Sequence, residues 1–193
     1  MPVDLFAAVN RYRPSMELFT GSNPVPTRSG SHPRFAEAAP DDFFDPSVHG
    51  GPFENGPGLD ALRKLEEWYD AGGSDTQILD LFNELPAAGV LDPDVWLREP
   101  VLLKQQIESG EVDRDAFLAE AQTRTAVGLG QFKIRGGMTT DALALAKSGV
   151  GAQLVIAMVD AADPGTGENL DPALISTLGS VNTVVQAAEH LED

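Results

Sequence analysis

Residues 113–162 read DRDAFLAEAQTRTAVGLGQFKIRGGMTTDALALAKSGVGAQLVIAMVDAA. The pattern predicts a helix over 113–127, a glycine-punctuated turn over 128–137 and a second helix over 139–162. The second helix is apolar on nearly every side in its C-terminal half, where Leu154, Val155, Ile156, Met158 and Val159 follow one another closely. A helix without a polar face is buried. The stretch therefore predicts a helical pair with a core helix at its centre.

The flanking sequence adds further amphipathic helices on both sides of this pair. Apolar residues recur at helical spacing over 58–72, 74–85, 92–110 and 171–191, and glycine or proline stands near the ends of these segments. The only strand candidate is 131–135, which is too short to hold a sheet by itself. The sequence predicts an all-α fold, with a compact bundle of about six helices in a domain spanning residues 58–193.

Residues 1–57 differ in composition from this domain. A short helix is predicted over 2–13, where Leu5, Phe6 and Val9 share one face, and seven prolines then follow between residues 15 and 57 without any regular period. We interpret 1–57 as an extended Pro/Gly-rich arm, held by its own domain or, as we favour, by a neighbouring subunit. The predicted partner-binding residues are its evenly spread phenylalanines: Phe19, Phe35, Phe43, Phe44 and Phe53.

Charge narrows the classes of partner. Thirty acidic against thirteen basic residues give a net charge of -17, which repels nucleic-acid backbones and anionic membrane surfaces. No basic run, no cysteine, no apolar stretch of membrane-spanning length and no signal-peptide pattern is evident. We expect a soluble protein, intracellular or inside an assembled particle, that binds protein subunits and neither nucleic acid nor membrane.

Two fragments resemble a known catalytic stretch. LKQQIESG (103–110) followed by TAVGLGQF (125–132) is similar to the sequence around the active site of lysozyme-like soluble lytic transglycosylases. The resemblance implies peptidoglycan cleavage with Glu108 as the general acid, a task that needs a carboxyl in apolar surroundings. The same glycines also fit a purely structural role, in which they end one helix and turn the chain into the next.

Other polar clusters give weaker signals. Five oxygen-bearing side chains around a Pro-Gly loop suggest either calcium ligands or helix caps: Asp160, Asp163, Glu168, Asn169 and Asp171. Their spacing is not that of an EF-hand, so we favour caps and predict no metal and no cofactor. The small residues Ala144, Ser148 and Ala152, four apart on the core helix, predict close helix packing within the chain or at an interface.

These observations favour a non-enzymatic structural or assembly subunit of a large oligomeric particle, for example a virion adaptor, cement or internal protein. Its arm would bind neighbouring subunits in a homo- or hetero-oligomer. The alternative is the peptidoglycan-cleaving enzyme with Glu108 as acid. A third hypothesis is an acidic nucleic-acid mimic that binds a basic partner, although the acidic residues are spread along the whole chain.

Overall fold

The computed structural model describes residues 26–45, 47–48, 50–89, 100–161 and 171–188. This part of the chain is mostly helical and contains no strand, which confirms the all-α prediction. Two short 3-10 helices, Asp41–Phe44 and Asp75–Gln77, accompany the α-helices. The α-helices in chain order are α1 (Pro33–Ala38), α2 (Gly56–Asp70), α3 (Ile78–Glu84), α4 (Pro100–Ser109), α5 (Arg114–Arg135), α6 (Thr140–Ala161) and α7 (Pro172–Ala187).

Side-chain caps fix where three of the helices begin. Asn55 accepts a hydrogen bond from the Gly58 amide at 2.6 Å at the start of α2. Asp113 accepts from two amides at the start of α5, and Asp171, followed by proline, caps α7. Each cap satisfies amide groups that the first turn of a helix leaves without a partner.

Helix α5 runs through the predicted turn without a break. It ends at Arg135 and is closed by Gly136 in the left-handed region, with φ of 80°. The predicted helix end at Val127 and the strand candidate over 131–135 are therefore wrong, because Gly128 and Gly130 lie inside the helix. These glycines serve close packing instead of a turn.

The packing of α5 against α6 explains the glycines. A Cβ atom on Gly128 would lie 2.4 Å from the carbonyl oxygen of Ala142, and one on Gly149 would lie 2.5 Å from that of Ala121. Position 128 thus meets the start of α6, whereas position 149 meets the start of α5, so the two helices are antiparallel. Their backbones approach too closely for any side chain at these two positions.

Helix α6 occupies the centre of the fold, as its apolar sequence predicts. Leu145, Val150 and Ile156 are buried, although Met158 is 57% exposed. Among the described residues α6 is the one helix long and apolar enough to cross a membrane, and 56% of its most apolar window is buried inside the protein. Burial of this kind is expected of a core helix in a soluble protein.

Residues 26–57, where they are described, fold against the helical body. The Phe35 ring is fully buried and packs edge-on against Phe132 of α5, with ring centroids 5.4 Å apart. Phe43 and Phe53 are also buried, and their ring centroids lie 6.5 Å and 6.4 Å from that of Phe35. This part of the predicted arm belongs to the core, whereas residues 1–25 lie outside the described residues. Residue 57, where the predicted arm ends, lies in the first turn of α2.

Candidate functional site at the anchor of the N-terminal segment

The structure places the predicted partner-binding phenylalanines in different environments. Phe35, Phe43 and Phe53 are buried in the hydrophobic core of their own chain. Phe44 is partly buried and lies edge-on to Phe35 at 6.1 Å. Phe19 lies outside the described residues. The burial of three of these rings leaves residues 1–25 as the part of the predicted arm whose role in binding is still a prediction.

Glu108 lies at the C-terminal end of α4, where it is exposed. Its carboxylate is 3.6 Å from the Lys104 ammonium, one helical turn earlier. The residues of the second catalytic-like fragment are buried within α5, and Gln131 accepts a hydrogen bond from the Thr139 amide at 2.7 Å. Within the described part of the chain Glu108 is exposed beside a lysine, whereas a glycosidase acid requires apolar surroundings.

Two predicted clusters remain: the acidic residues around 160–171 and the small residues of α6. Most of their described members contact other residues of the same chain. Asp160 of α6 binds the guanidinium of Arg114 on α5. Asp171 caps α7, as predicted, while Asp163, Glu168 and Asn169 lie outside the described residues. Of the small residues on α6, Ala144 is exposed, Ser148 donates to the Leu145 carbonyl at 2.9 Å, and Ala152 is buried in the chain's own core.

Lys133 is the residue to which the N-terminal segment is attached. It lies on α5 near the C-terminal end, and its side chain is 0% exposed. Its ammonium donates a hydrogen bond to the Gly30 carbonyl at 3.2 Å, and its own carbonyl accepts from the His32 amide at 2.7 Å. One residue therefore holds the incoming chain through both its side chain and its main chain.

A second ionisable group, the half-buried Glu66 of α2, interacts electrostatically with Lys133. Burial raises the pKa of Glu66 to about 8, although the positive charge of Lys133 acts against this rise. Burial also lowers the pKa of Lys133 to about 8, and Glu66 opposes this change. The Oε1 atom of Glu66 is buried without a hydrogen-bond partner within the described structure. Such a pair changes charge near neutral pH, as groups at functional sites often do.

His32 completes the attachment at the end of α5. Its ring lies where a Cβ atom on Gly136 would stand, with the ring Cε1 atom 2.2 Å from that position. Glycine at 136 therefore serves both the left-handed helix end and the close approach of the ring. Burial lowers the pKa of His32, and the charges of Arg34 and Arg135 act in the same direction. We refer to Gly30, His32, Lys133 and Gly136 as the anchor.

Arg28, two residues before Gly30, links the chain ahead of the anchor to α1 and to the residues that follow it. Its guanidinium donates to the Ala36 and Ala39 carbonyls at the end of α1, the latter at 3.0 Å. It also binds the Asp41 carboxylate at 2.8 Å and lies 4.6 Å from the centroid of the Phe44 ring. The chain is thus fixed on both sides of Gly30. Sequence reasoning missed the anchor because nothing in the local pattern around Lys133 shows that it is buried.

No protein-family model, curated protein or solved structure matches the chain. The anchor is the place where the described residues bring together a buried charge, perturbed pKa values and the segment that precedes α1.

Proposed function

We propose that the protein is a non-enzymatic assembly subunit that binds neighbouring subunits through its N-terminal tail, defined as residues 1–25. The observation that carries the proposal is the anchor, where Lys133 holds Gly30 and His32 against the end of α5. The described chain is thereby fixed to the helical body at Gly30 and His32, a few residues after the tail in the sequence. The segment that we propose to bind neighbouring subunits is therefore residues 1–25, a shorter segment than the predicted arm of residues 1–57.

The sequence of the tail suits contact with another protein. It contains Leu5, Phe6, Val9 and Tyr12 at helical spacing, and it has two acidic and two basic side chains. The tail is therefore neutral in a chain whose net charge is -17. A neutral, aromatic-bearing segment can approach a second acidic subunit without adding to the charge repulsion between them.

The length of the tail allows contact beyond its own subunit. Twenty-five residues span up to about 85 Å when fully extended, whereas a domain of this size has a radius of gyration of about 15 Å. A large particle built from many copies, such as a virion, is the kind of assembly that we propose for it.

The proposal is tested by deleting residues 1–25 and measuring the native mass by light scattering. We expect the full chain to associate and the shortened chain to be a folded monomer with unchanged helical content. A deletion to residue 57 is unsuitable because it would remove Phe35, Phe43 and Phe53 from the core. A shortened chain that associates as well as the full chain would refute the proposal.

The enzymatic alternative remains a prediction with its own test. If Glu108 were the general acid of a peptidoglycan-cleaving enzyme, the full chain would clear a suspension of cell walls, and Glu108→Gln would abolish that activity without loss of helical content. A full chain without such activity removes the alternative.

A further inference from the structure

A groove on the helical body lies between the N-terminal half of α2 and the residues that follow α3. It has a volume of about 620 Å³, within the range of about 300–1,000 Å³ that is common for binding sites. Its lining includes three buried residues, Ala61, Leu85 and Thr123, which lie on α2, after α3 and on α5. The groove is therefore lined from three separate elements and is mainly apolar.

Charged side chains of α2 also line the groove, and both signs are present. Asp60 and Arg63 form one ion pair at 3.5 Å, and Lys64 and Glu67 form another at 2.7 Å. These side chains are largely exposed, and exposed pairs of this kind contribute little to stability because water and salt screen them. They can exchange partners with an incoming segment at little cost.

We propose that this groove binds residues 2–13 of the N-terminal tail of a second copy of the chain; this inference rests on the proposed function. Leu5, Val9 and Tyr12 fall at i, i+4 and i+7, the spacing with which an amphipathic helix places its apolar side chains in a groove. The volume of the groove and its apolar lining fit such side chains.

The charges of residues 2–13 are complementary to those of the groove. Arg11 and Arg13 are matched by Asp60 and Glu67, and Asp4 is matched by the neighbouring Arg63 and Lys64. Oppositely charged groups that meet in this way set the orientation of a bound segment more than its affinity. The described chain begins at residue 26, so residues 14–25 link the groove-binding part to the anchor of its own subunit.

A charge-swap experiment on the full chain tests the inference. R11E/R13E and D60K/E67K should each weaken association by about tenfold in dissociation constant, as measured by sedimentation. The four changes combined should restore it, because each pair again meets opposite charge. E37K/E111K is the matched control, since it changes the net charge as much as D60K/E67K does at exposed residues outside the groove.

The outcomes separate this inference from the proposed function. If the full chain associates through residues 1–25 but D60K/E67K has no effect beyond that of the control, the groove is not the binding site and the proposed function stands. If the full chain is a monomer at all concentrations, both fail. If the full chain is a monomer in which R11E/R13E and D60K/E67K each lower the stability and the four changes combined restore it, the tail docks on its own subunit and binding to a second copy is excluded.

Discussion

The ammonium of Lys133 donates a hydrogen bond to the carbonyl oxygen of Gly30 across a sequence separation of 103 residues. This bond joins the segment that precedes α1 to the C-terminal end of α5. Because Lys133 is fully buried, the bond is shielded from competing water, and its removal leaves the Gly30 carbonyl without this donor.

The first prediction concerns this bond. Lys133→Met keeps most of the buried aliphatic volume and removes the donor, so amides over residues 30–36 should exchange with deuterium about tenfold faster. Hydrogen exchange measured by mass spectrometry checks this. Lys64→Met, which changes an exposed lysine of α2, is the control and should leave these amides unaffected. Unchanged exchange in the Lys133 variant would show that the bond does not hold the segment.

The second prediction concerns pH. The folded pKa of Glu66 is raised from 4.5 to about 8, so the native state retains a proton that the unfolded chain releases. The resulting stabilisation is complete below pH 4.5 and is lost as pH rises toward 8. Lys133 has a folded pKa of about 8 against 10.5, so its contribution changes in the opposite direction, and stability increases from pH 8 to 10.5. The two groups together predict a minimum of stability near pH 8.

Glu66→Gln tests the acidic side of this minimum. The amide cannot ionise, so the variant should gain about 2 kcal/mol over the natural protein at pH 8, after allowance for solvent screening of a half-buried group, and little at pH 4.5. Urea unfolding at both pH values measures the difference. Glu67→Gln, at an exposed neighbouring position, should show no such dependence on pH. Equal effects of the two variants would contradict the assignment to Glu66.

The third prediction concerns the helix glycines. Gly128→Ala should destabilise the protein by about 1–3 kcal/mol, because the added Cβ would meet the Ala142 carbonyl at 2.4 Å. Gly179→Ala on α7 is the control, since nothing lies within 4 Å of its Cβ position. That change should stabilise the protein by about 0.5–1 kcal/mol through helix propensity alone. Thermal unfolding gives both values, and a gain at both positions would contradict the close packing of α5 and α6.

The fourth prediction concerns residues 26–57. Phe35→Ala should reduce the free energy of unfolding by about 3–5 kcal/mol, because the ring is fully buried and packs against four other rings. Val101→Ala, at a residue that is 72% exposed, should have little effect. Chemical denaturation measures both. If the loss at Phe35 were as small as that at Val101, this segment would not belong to the core.

Local patterns in the sequence were enough to predict much of the helical architecture. The apolar character of α6 predicted its burial, and Asp171 with Pro172 predicted the start of α7. The burial of α6 and the start of α7 both follow from residues that are close together in the sequence, so the sequence alone is enough to predict them.

Features that depend on distant contacts could not be predicted in this way. Gly128 resembles a helix terminator in sequence, and only the approach of Ala142 shows that it permits packing. Phe35, Phe43 and Phe53 lack helical or strand periodicity, so their place in the core was not recognisable. Lys133 and Glu66 looked like ordinary surface charges, because their burial depends on residues far away along the chain.

The antiparallel pair of α5 and α6 has a consequence for the order of folding. Contacts within it are local: Thr125 and Gln153, hydrogen-bonded at 2.9 Å, are 28 residues apart. Closing such a short loop has a smaller entropic cost than closing the loop of 103 residues between Gly30 and Lys133. We expect the hairpin to form early on the folding pathway and the attachment of residues 26–32 to form late. In a nascent chain α5 and α6 would therefore fold together first, and residues 26–32, although synthesised earlier, would become fixed only afterwards.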